Sequence, residues 1–441
     1  MIKSTAQSRR TAFAATLAIA AGVSLGALAS PAMAAPRHAI TVSAGSDIDQ
    51  FYAARAGRPL WFAQGNSAAV SGLMDLFATA SLDRVDSDQL RLSELQKAVS
   101  AAKTGDRDAQ LRADAMLSRA FVTYVSAMRA VDPVTTGWEI NDAELMPRAP
   151  SASAILAQAA AAPSLNGYVG QMGWMHPIYA ELRQALATAR KNGEGKQGQM
   201  LRANLQRARL LPGVGAGRYV IVNTASQRLE MYDNGKVVDS MRVVVGKPEM
   251  PTPMMAAMIR YTALNPYWNL PPDLVTERVA PNVLKEGQSY LVRKGYVILS
   301  DWTDKASRVN PTTVDWNQVA AGKVGLRMRQ DPGDANAMGQ MKFMFPNPEG
   351  VYLHDTPQKA LLTEKSRLFS AGCVRLENAP KLARWLYGRT LTAKDGSIEQ
   401  RVDLDRPVPV YLGYFTAMPQ GSQIVYYNDV YKRDATALAL R

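Results

Sequence analysis

The stretch Leu211-Pro212-Gly213-Val214-Gly215-Ala216-Gly217, written LPGVGAG, separates two different sequence patterns. Before it, over residues 47–211, apolar side chains recur every three to four positions, which is typical of amphipathic helices. After it the period changes to two, which is typical of strands. A proline and three glycines in seven residues end any helix. We therefore predict an α+β protein, with an all-helical scaffold domain over residues 35–212 and a β-rich domain over residues 217–441.

The helical half has four predicted helices. They lie around residues 73–77 and over residues 116–128, 154–161 and 178–192. Asp132-Pro133 stops the second of them, Ser153 is the predicted N-cap of the third, and Pro177 occupies the first turn of the fourth.

The β-rich half opens as a meander with a hairpin turn at Asn234-Gly235. Strands are predicted over residues 218–223, 227–232, 237–245, 259–264, 352–353 and 408–414. Residues 271–332 interrupt this pattern with helix-like and loop-like sequence rich in Pro and Trp. An insertion of this length is usually functional, so we expect it to cap a groove and act as a lid.

The first 34 residues resemble a secretory signal peptide. Lys3, Arg9 and Arg10 precede an uncharged apolar segment, residues 11–28, and Ala32-Met33-Ala34 forms a cleavage site. We expect an exported, periplasmic protein without a transmembrane segment after cleavage, since no later stretch approaches eighteen uninterrupted apolar residues. The sequence leaves open whether export uses the general secretory or the twin-arginine route.

The chain is strongly basic. Removing the three signal-peptide cations lowers the formal charge from +13 to +10, which favours acidic polymers such as cell-wall peptides as partners. Nucleic acid is not an expected partner, because the basic residues form no dense run and no aromatic-interleaved stripe.

Cys373 is the only cysteine among 441 residues. In an oxidising compartment such a residue is a buried filler, an intermolecular bridge or a reactive thiol. A nucleophilic thiol requires a base and amide donors for the oxyanion. His354, nineteen residues earlier at a predicted strand end, is the candidate base, and the flexible run before the cysteine lets the amides of Gly372 and Cys373 converge as an oxyanion hole. His176, before Pro177, is instead expected to be a capping or core imidazole.

His354 and the motif Ser370-Ala371-Gly372-Cys373-Val374-Arg375 together resemble the signature of the L,D-transpeptidase (YkuD-type) family. The resemblance extends to its larger periplasmic members, which have a helical scaffold and a capping insertion. Further matching segments are residues 265–268, 330–333, 342–347 and 352–357 and, more weakly, Phe51-Tyr52 with residues 59–61.

The resemblance implies that Cys373 is the nucleophile and His354 the general base. Ser370 and Arg375 match motif positions and are expected to shape the loop, with Arg375 either fixing it, binding a substrate carboxylate or forming a structural ion pair. The group that orients the imidazole is either a backbone carbonyl or the carboxylate of Asp355. No metal or organic cofactor is expected, because a thiol needs none and the sequence offers no suitable ligand cluster.

The implied reaction is acyl transfer between peptidoglycan stem peptides. Cys373 attacks the carbonyl at the L-centre of the third residue of a donor tetrapeptide, releases D-alanine, and passes the acyl group to an amine to give a 3→3 cross-link. The sequence leaves the acceptor open between another stem peptide, a lipoprotein lysine and a free D-amino acid. Two alternatives also stay open: a cell-wall cysteine peptidase or amidase, and a non-catalytic wall-binding scaffold protein.

Overall fold

Helices dominate the N-terminal half of the computed structural model, which describes residues 44–303, 305–395 and 398–439. The predicted signal peptide lies outside the described residues. The helices of this half are α1 (Ala44–Ala54), α2 (Ser67–Ala78), α3 (Leu92–Ala102), α4 (Arg107–Arg129), α5 (Ala152–Ala161), α6 (Leu165–Gly170), α7 (Pro177–Lys191) and α8 (Gly195–Ala208). The four predicted helices are confirmed as α2, α4, α5 and α7. The predicted cap of α5 is wrong, because Ser151 rather than Ser153 accepts the amide of Ala154.

His176 links the helical half to the first long strand. Its Nδ1 accepts the amide of Ile178 at the start of α7 (3.1 Å), and its Nε2 pairs with the hydroxyl of Tyr219 (2.8 Å). The ring is 1% exposed, and this burial lowers its pKa to about 3. His176 is therefore a neutral imidazole that caps a helix, as predicted.

The first strands of the chain are β1 (Glu139–Ile140), β2 (Arg218–Asn223), β3 (Arg228–Asp233), β4 (Lys236–Gly246) and β5 (Met255–Leu264). The predicted meander is confirmed as β2, β3 and β4, which pair antiparallel in sequence order. The first half is not entirely helical as predicted. Its short strand β1 pairs parallel with β5 of the β-rich half. Two residues are too few to give a strand pattern, so only the tertiary contact reveals this strand.

The insertion has its own small sheet, which the prediction of helix and loop missed. Its elements are β6 (Trp268–Asn269), α9 (Pro272–Leu274), a π-helical turn (Val275–Val279), α10 (Ala280–Glu286), α11 (Ser289–Lys294), β7 (Tyr296–Leu299), β8 (Arg308–Val309), α12 (Trp316–Ala320) and β9 (Arg327–Gln330). The four strands pair in the order β6, β9, β7, β8. A separate core that includes Val279, Trp316 and Met328 lies within this subdomain, which we call the cap.

The chain then returns to the main sheet. Its remaining elements are β10 (Met341–Met344), β11 (Leu353–His354), β12 (Leu368–Ser370), β13 (Val374–Leu376), α13 (Ala379–Tyr387), β14 (Gln400–Gly413), β15 (Ala417–Gln420), β16 (Gln423–Tyr426) and α14 (Asp434–Ala439). Asn378 caps α13 through the amide of Lys381 (2.9 Å), as its sequence position suggests.

The main sheet closes on itself. The strands follow the order β5, β10, β11, β13, β4, β3, β2, β14, and β14 pairs with both β2 and β5. Inward-facing residues such as Val222, Phe343, Leu353 and Val374 form the core with α13. Closure leaves few unpaired edges, so the backbone that carries the site is held on both sides.

The outer face of this barrel packs against the helices. Tyr219, Tyr232 and Tyr411 of the sheet belong to one continuous core with the helical half. The rings of Tyr219 and Tyr232 stack with their centroids 4.9 Å apart. The ring of His176 makes an edge-to-face contact with each of them. The described residues from Ala44 onward accordingly form one compact unit. Within the described residues, no helix is both long and apolar enough to cross a membrane.

Candidate active site

Two predicted site residues, His354 and Arg375, lie with Lys342 on one face of three neighbouring strands. Lys342 of β10 is paired with His354 of β11, which in turn is paired with Arg375 of β13. Paired residues of adjacent strands point to the same face, and so do residues two positions apart. Cys373 directly precedes β13, and its thiol is close enough to Arg375 and Lys342 for their charges to act on its pKa, which places it on the same side as His354. The residues between them, such as Val374, point into the barrel core.

The side chain of Ser370 holds the loop formed by residues 370–373. This hydroxyl, 3% exposed, donates to the carbonyl of Cys373 (2.6 Å) and accepts the amide of Gly372 (3.2 Å). Gly372 has φ 113°, a conformation that favours glycine. From the other side, the hydroxyl of buried Thr252 donates to the carbonyl of Gly372 (2.7 Å). The predicted loop-shaping role of Ser370 thus has a geometric basis.

One half of the predicted oxyanion hole is already occupied. The Gly372 amide points at the hydroxyl of Ser370, so it would have to share or release that bond to bind an oxyanion. The predicted contribution of Gly372 therefore requires a rearrangement of this loop. The Ser370 hydrogen bond does not involve the amide of Cys373, the other predicted oxyanion donor.

The thiol of Cys373 is half-buried and donates to the carbonyl of Gly350 (S···O 3.8 Å). Burial raises its pKa, and a hydrogen bond from the amide of Tyr352 and the charges of Arg375 and Lys342 act in the opposite direction. The resting sulfur is therefore a thiol at neutral pH, and its reaction with a carbonyl requires a base.

His354 is 2% exposed and its tautomer is fixed by one hydrogen bond. Nδ1 donates to the carbonyl of Asp355 (2.5 Å), which leaves the lone pair of Nε2 available as a base. Burial and then the charge of Arg375 lower its pKa to about 3. The imidazole is therefore neutral over the whole physiological range.

Of the two predicted orienting groups, the backbone carbonyl of Asp355 holds the imidazole and its carboxylate does not. Its carboxylate accepts instead from Lys359 Nζ (2.6 Å) and from the amide of Gln340 (3.1 Å). Asp355 therefore acts on the site by fixing the loop after β11 to the start of β10.

Arg375 and Lys342 place positive charge beside His354 and Cys373. Arg375 donates to the amide oxygen of Gln358 (2.7 Å) and makes no ion pair with any described residue, so the structural ion-pair possibility is not supported. Lys342 Nζ lies 4.9 Å from the ring centre of Tyr352, and its pKa is lowered by burial. Two such cations favour negative charge on the sulfur and on a developing oxyanion.

Lys342 and Thr252 were not predicted as site residues. A signal for Lys342 exists in the sequence, where a lysine alternates with the apolar residues Met341 and Phe343 in a strand. Thr252 has no such signal, because it reaches Gly372 only through the turn after β4. Among the described residues, no cluster of His, Cys, Asp and Glu is arranged to hold a metal.

Comparison with known proteins adds the family. Residues 217–410 match the L,D-transpeptidase catalytic domain of YkuD type, and residues 46–186 match the family described as a Scaffold domain. The chain therefore contains an L,D-transpeptidase catalytic domain and a Scaffold domain. A relative from Haemophilus influenzae named "Putative L,D-transpeptidase" is 29% identical over 395 residues, covering 87% of this chain and 77% of its own.

Solved structures similar to this chain include L,D-transpeptidases from two bacteria. The L,D-transpeptidase from Mycobacterium smegmatis is 14% identical, with a TM-score of 0.24 over 45% of this chain and 59% of that one. The L,D-transpeptidase from Stackebrandtia nassauensis is 16% identical, with a TM-score of 0.21 over 53% of this chain and 78% of that one. This chain therefore spans less than two thirds of the Mycobacterium smegmatis protein.

Proposed function

We propose that this protein forms 3→3 cross-links in peptidoglycan with Cys373 as its nucleophile. The observation that carries the proposal is the pairing of β11 with β13, which sets a neutral, tautomer-fixed imidazole and the only cysteine on one face of the sheet. The family of residues 217–410 supports a transpeptidase that acts on peptidoglycan peptides.

The proposed first half-reaction is acylation. His354 Nε2 takes the thiol proton of Cys373 as the sulfur attacks the carbonyl at the L-centre of the donor's third residue. Arg375 and Lys342 stabilise the negative charge that moves from sulfur to oxygen. The carbon–nitrogen bond then breaks, His354 returns the proton to the leaving amine of D-alanine, and a thioester remains.

The proposed second half-reaction is aminolysis of the thioester. The side-chain amine of an acceptor's third residue attacks the thioester carbonyl, and His354 removes the proton from this nitrogen. The carbon–sulfur bond then breaks, His354 passes this proton to the leaving sulfur to regenerate the thiol, and one new amide remains. Water must be kept from the thioester during this step, and we assign that role to the cap.

Product masses test this proposal against its two alternatives. Purified protein incubated with tetrapeptide-bearing muropeptides is expected to release D-alanine and form a cross-linked dimer. Tripeptide products without dimers would instead identify a peptidase. No change in the muropeptides at all would leave a wall-binding protein without catalysis.

We further propose that the protein works in the periplasm after removal of residues 1–34, where its substrate is located. N-terminal sequencing of the exported protein tests this, with a new terminus at Ala35 as the expected result. A protein that retains Met1 in the membrane fraction would contradict it.

Replacing Ser370 by alanine is expected to slow acylation about tenfold, because a displaced nucleophile loop loses its attack geometry. Loss of two buried hydrogen bonds should also lower the free energy of unfolding by ~1–3 kcal/mol. Acylation kinetics and thermal unfolding measure the two effects. Ser366→Ala, on an exposed side chain four residues earlier, is the matched control and should change neither. A folded Ser370→Ala variant with the original acylation rate would remove Ser370 from the site.

A further inference from the structure

A cavity of about 440 Å³ lies between the cap and the sheet beside the candidate active site. The cap contributes Arg278 and Lys294 to its wall, and the barrel side contributes Arg375 and Gln358. Its wall also has aromatic surface, from Trp268, Tyr290 and Tyr296. Among the described residues that line it, none is an aspartate or glutamate. Three cations thus surround one space without an acidic partner.

Two like charges of this cavity, those of Arg278 and Arg375, act on each other. Arg278 contributes to lowering the pKa of Arg375, after the larger effect of burial, so the two guanidinium groups are close enough to repel. Neither Arg278 nor Lys294 takes part in an ion pair with another described residue. Arg278 and Lys294 are exposed and Arg375 is partly buried, so an anion bound between these side chains would be attracted by all three.

The backbones that carry the two cap cations are well fixed. Arg278 lies in the π-helical turn, between the buried residues Val275 and Val279, and its carbonyl accepts from Asn282 Nδ2 (2.7 Å). Turns of this kind are frequent at functional sites. The carbonyl of Lys294 accepts from Gln330 Nε2 (2.6 Å), whose side chain is buried. The positive groups are therefore presented by ordered cap elements.

We propose that Arg278, Lys294 and Arg375 bind a carboxylate of a stem peptide, so that the cap selects the substrate as well as covering it. This inference rests on the proposed function, because it takes the ligand to be the peptide that reacts at Cys373. The carboxylate comes from either the donor or the acceptor stem. Arg375 connects the subsite to the thiol, since it lies two positions after Cys373 on the same face.

The test removes the cap cations and keeps the reacting residues. In the double variant Arg278→Gln, Lys294→Gln, KM should rise at least about tenfold for the stem whose carboxylate is bound, from the loss of charge-assisted hydrogen bonds. KM is measured with donor and acceptor peptides whose carboxylates outside the reacting bond are free or amidated. Amidation should remove the difference in KM between variant and wild type for only one of the two peptides. The peptide for which it does so, donor or acceptor, is the one that supplies the bound carboxylate.

Two controls make the result specific. The variant Lys285→Gln, Lys323→Gln removes the same charge from exposed cap positions outside the cavity wall, and its KM should be unchanged. Arg278→Lys retains a cation and should restore most of the affinity. Equal KM values for wild type and the cavity variant in both series would overturn this inference, while continued cross-linking by that variant would leave the proposed function intact.

Discussion

Replacing Cys373 by alanine is expected to lower the rate of cross-linking at least about 10⁴-fold, because removal of a nucleophile eliminates the covalent path. The fold should persist, since the side chain is half-buried and lies outside the barrel core. The rate of muropeptide dimer formation measures the loss of cross-linking. Intact-protein mass after incubation with a carbapenem, an acylating agent to which the family resemblance implies reactivity, measures the loss of acylation. Wild type should gain one adduct and Cys373→Ala none.

The single cysteine makes this experiment unusually direct. Any thioester formed by the protein must lie at Cys373, because the sequence contains no other thiol. Thermal unfolding of the variant serves as the control for folding. Cross-linking that persists in Cys373→Ala would contradict the mechanism, and normal cell-wall function of the variant in cells would favour a scaffold role.

The sequence predicts the local structure around Cys373 and His354 better than the surroundings of this site. Cys373 and His354 stand out because each is rare, and the strand that ends at His354 has a clear apolar pattern. The local turn chemistry around Ser370 and Gly372 is also readable, since the required conformations are specific to small residues. These features depend on neighbours within a few positions along the chain.

The surroundings depend on contacts between distant segments. Nothing in β14 reveals that it pairs with β2 on one side and β5 on the other, and this pairing closes the barrel. The cap strands are two to four residues long, too short for a period to appear. The sequence therefore does not show that Arg278 and Arg375 lie on one cavity, because Arg278 belongs to the cap and Arg375 to the barrel.

The neutral state of His354 has a consequence for the pH dependence of acylation. An imidazole of ordinary pKa would lose its base function as the pH falls through about 6.5. With a pKa of about 3, His354 keeps its free Nε2 well below that value. The rate of acylation by wild type should therefore show no inflection near pH 6.5. An inflection there would contradict the buried, neutral imidazole.

Replacing His354 by glutamine tests its role as base. The amide of glutamine approximates the size of the ring but does not accept the thiol proton, so the rate at pH 7 should fall about 10²- to 10⁴-fold. Burial raises the pKa of Cys373, so thiolate in the variant becomes more abundant as the pH increases toward that pKa. The variant's acylation rate should accordingly rise about tenfold per pH unit while the thiol predominates, and the deficit relative to wild type should narrow in alkali. Stopped-flow acylation from pH 5 to pH 9 measures both curves. A constant ratio between them would mean that His354 positions the substrate and that another group removes the proton from the sulfur.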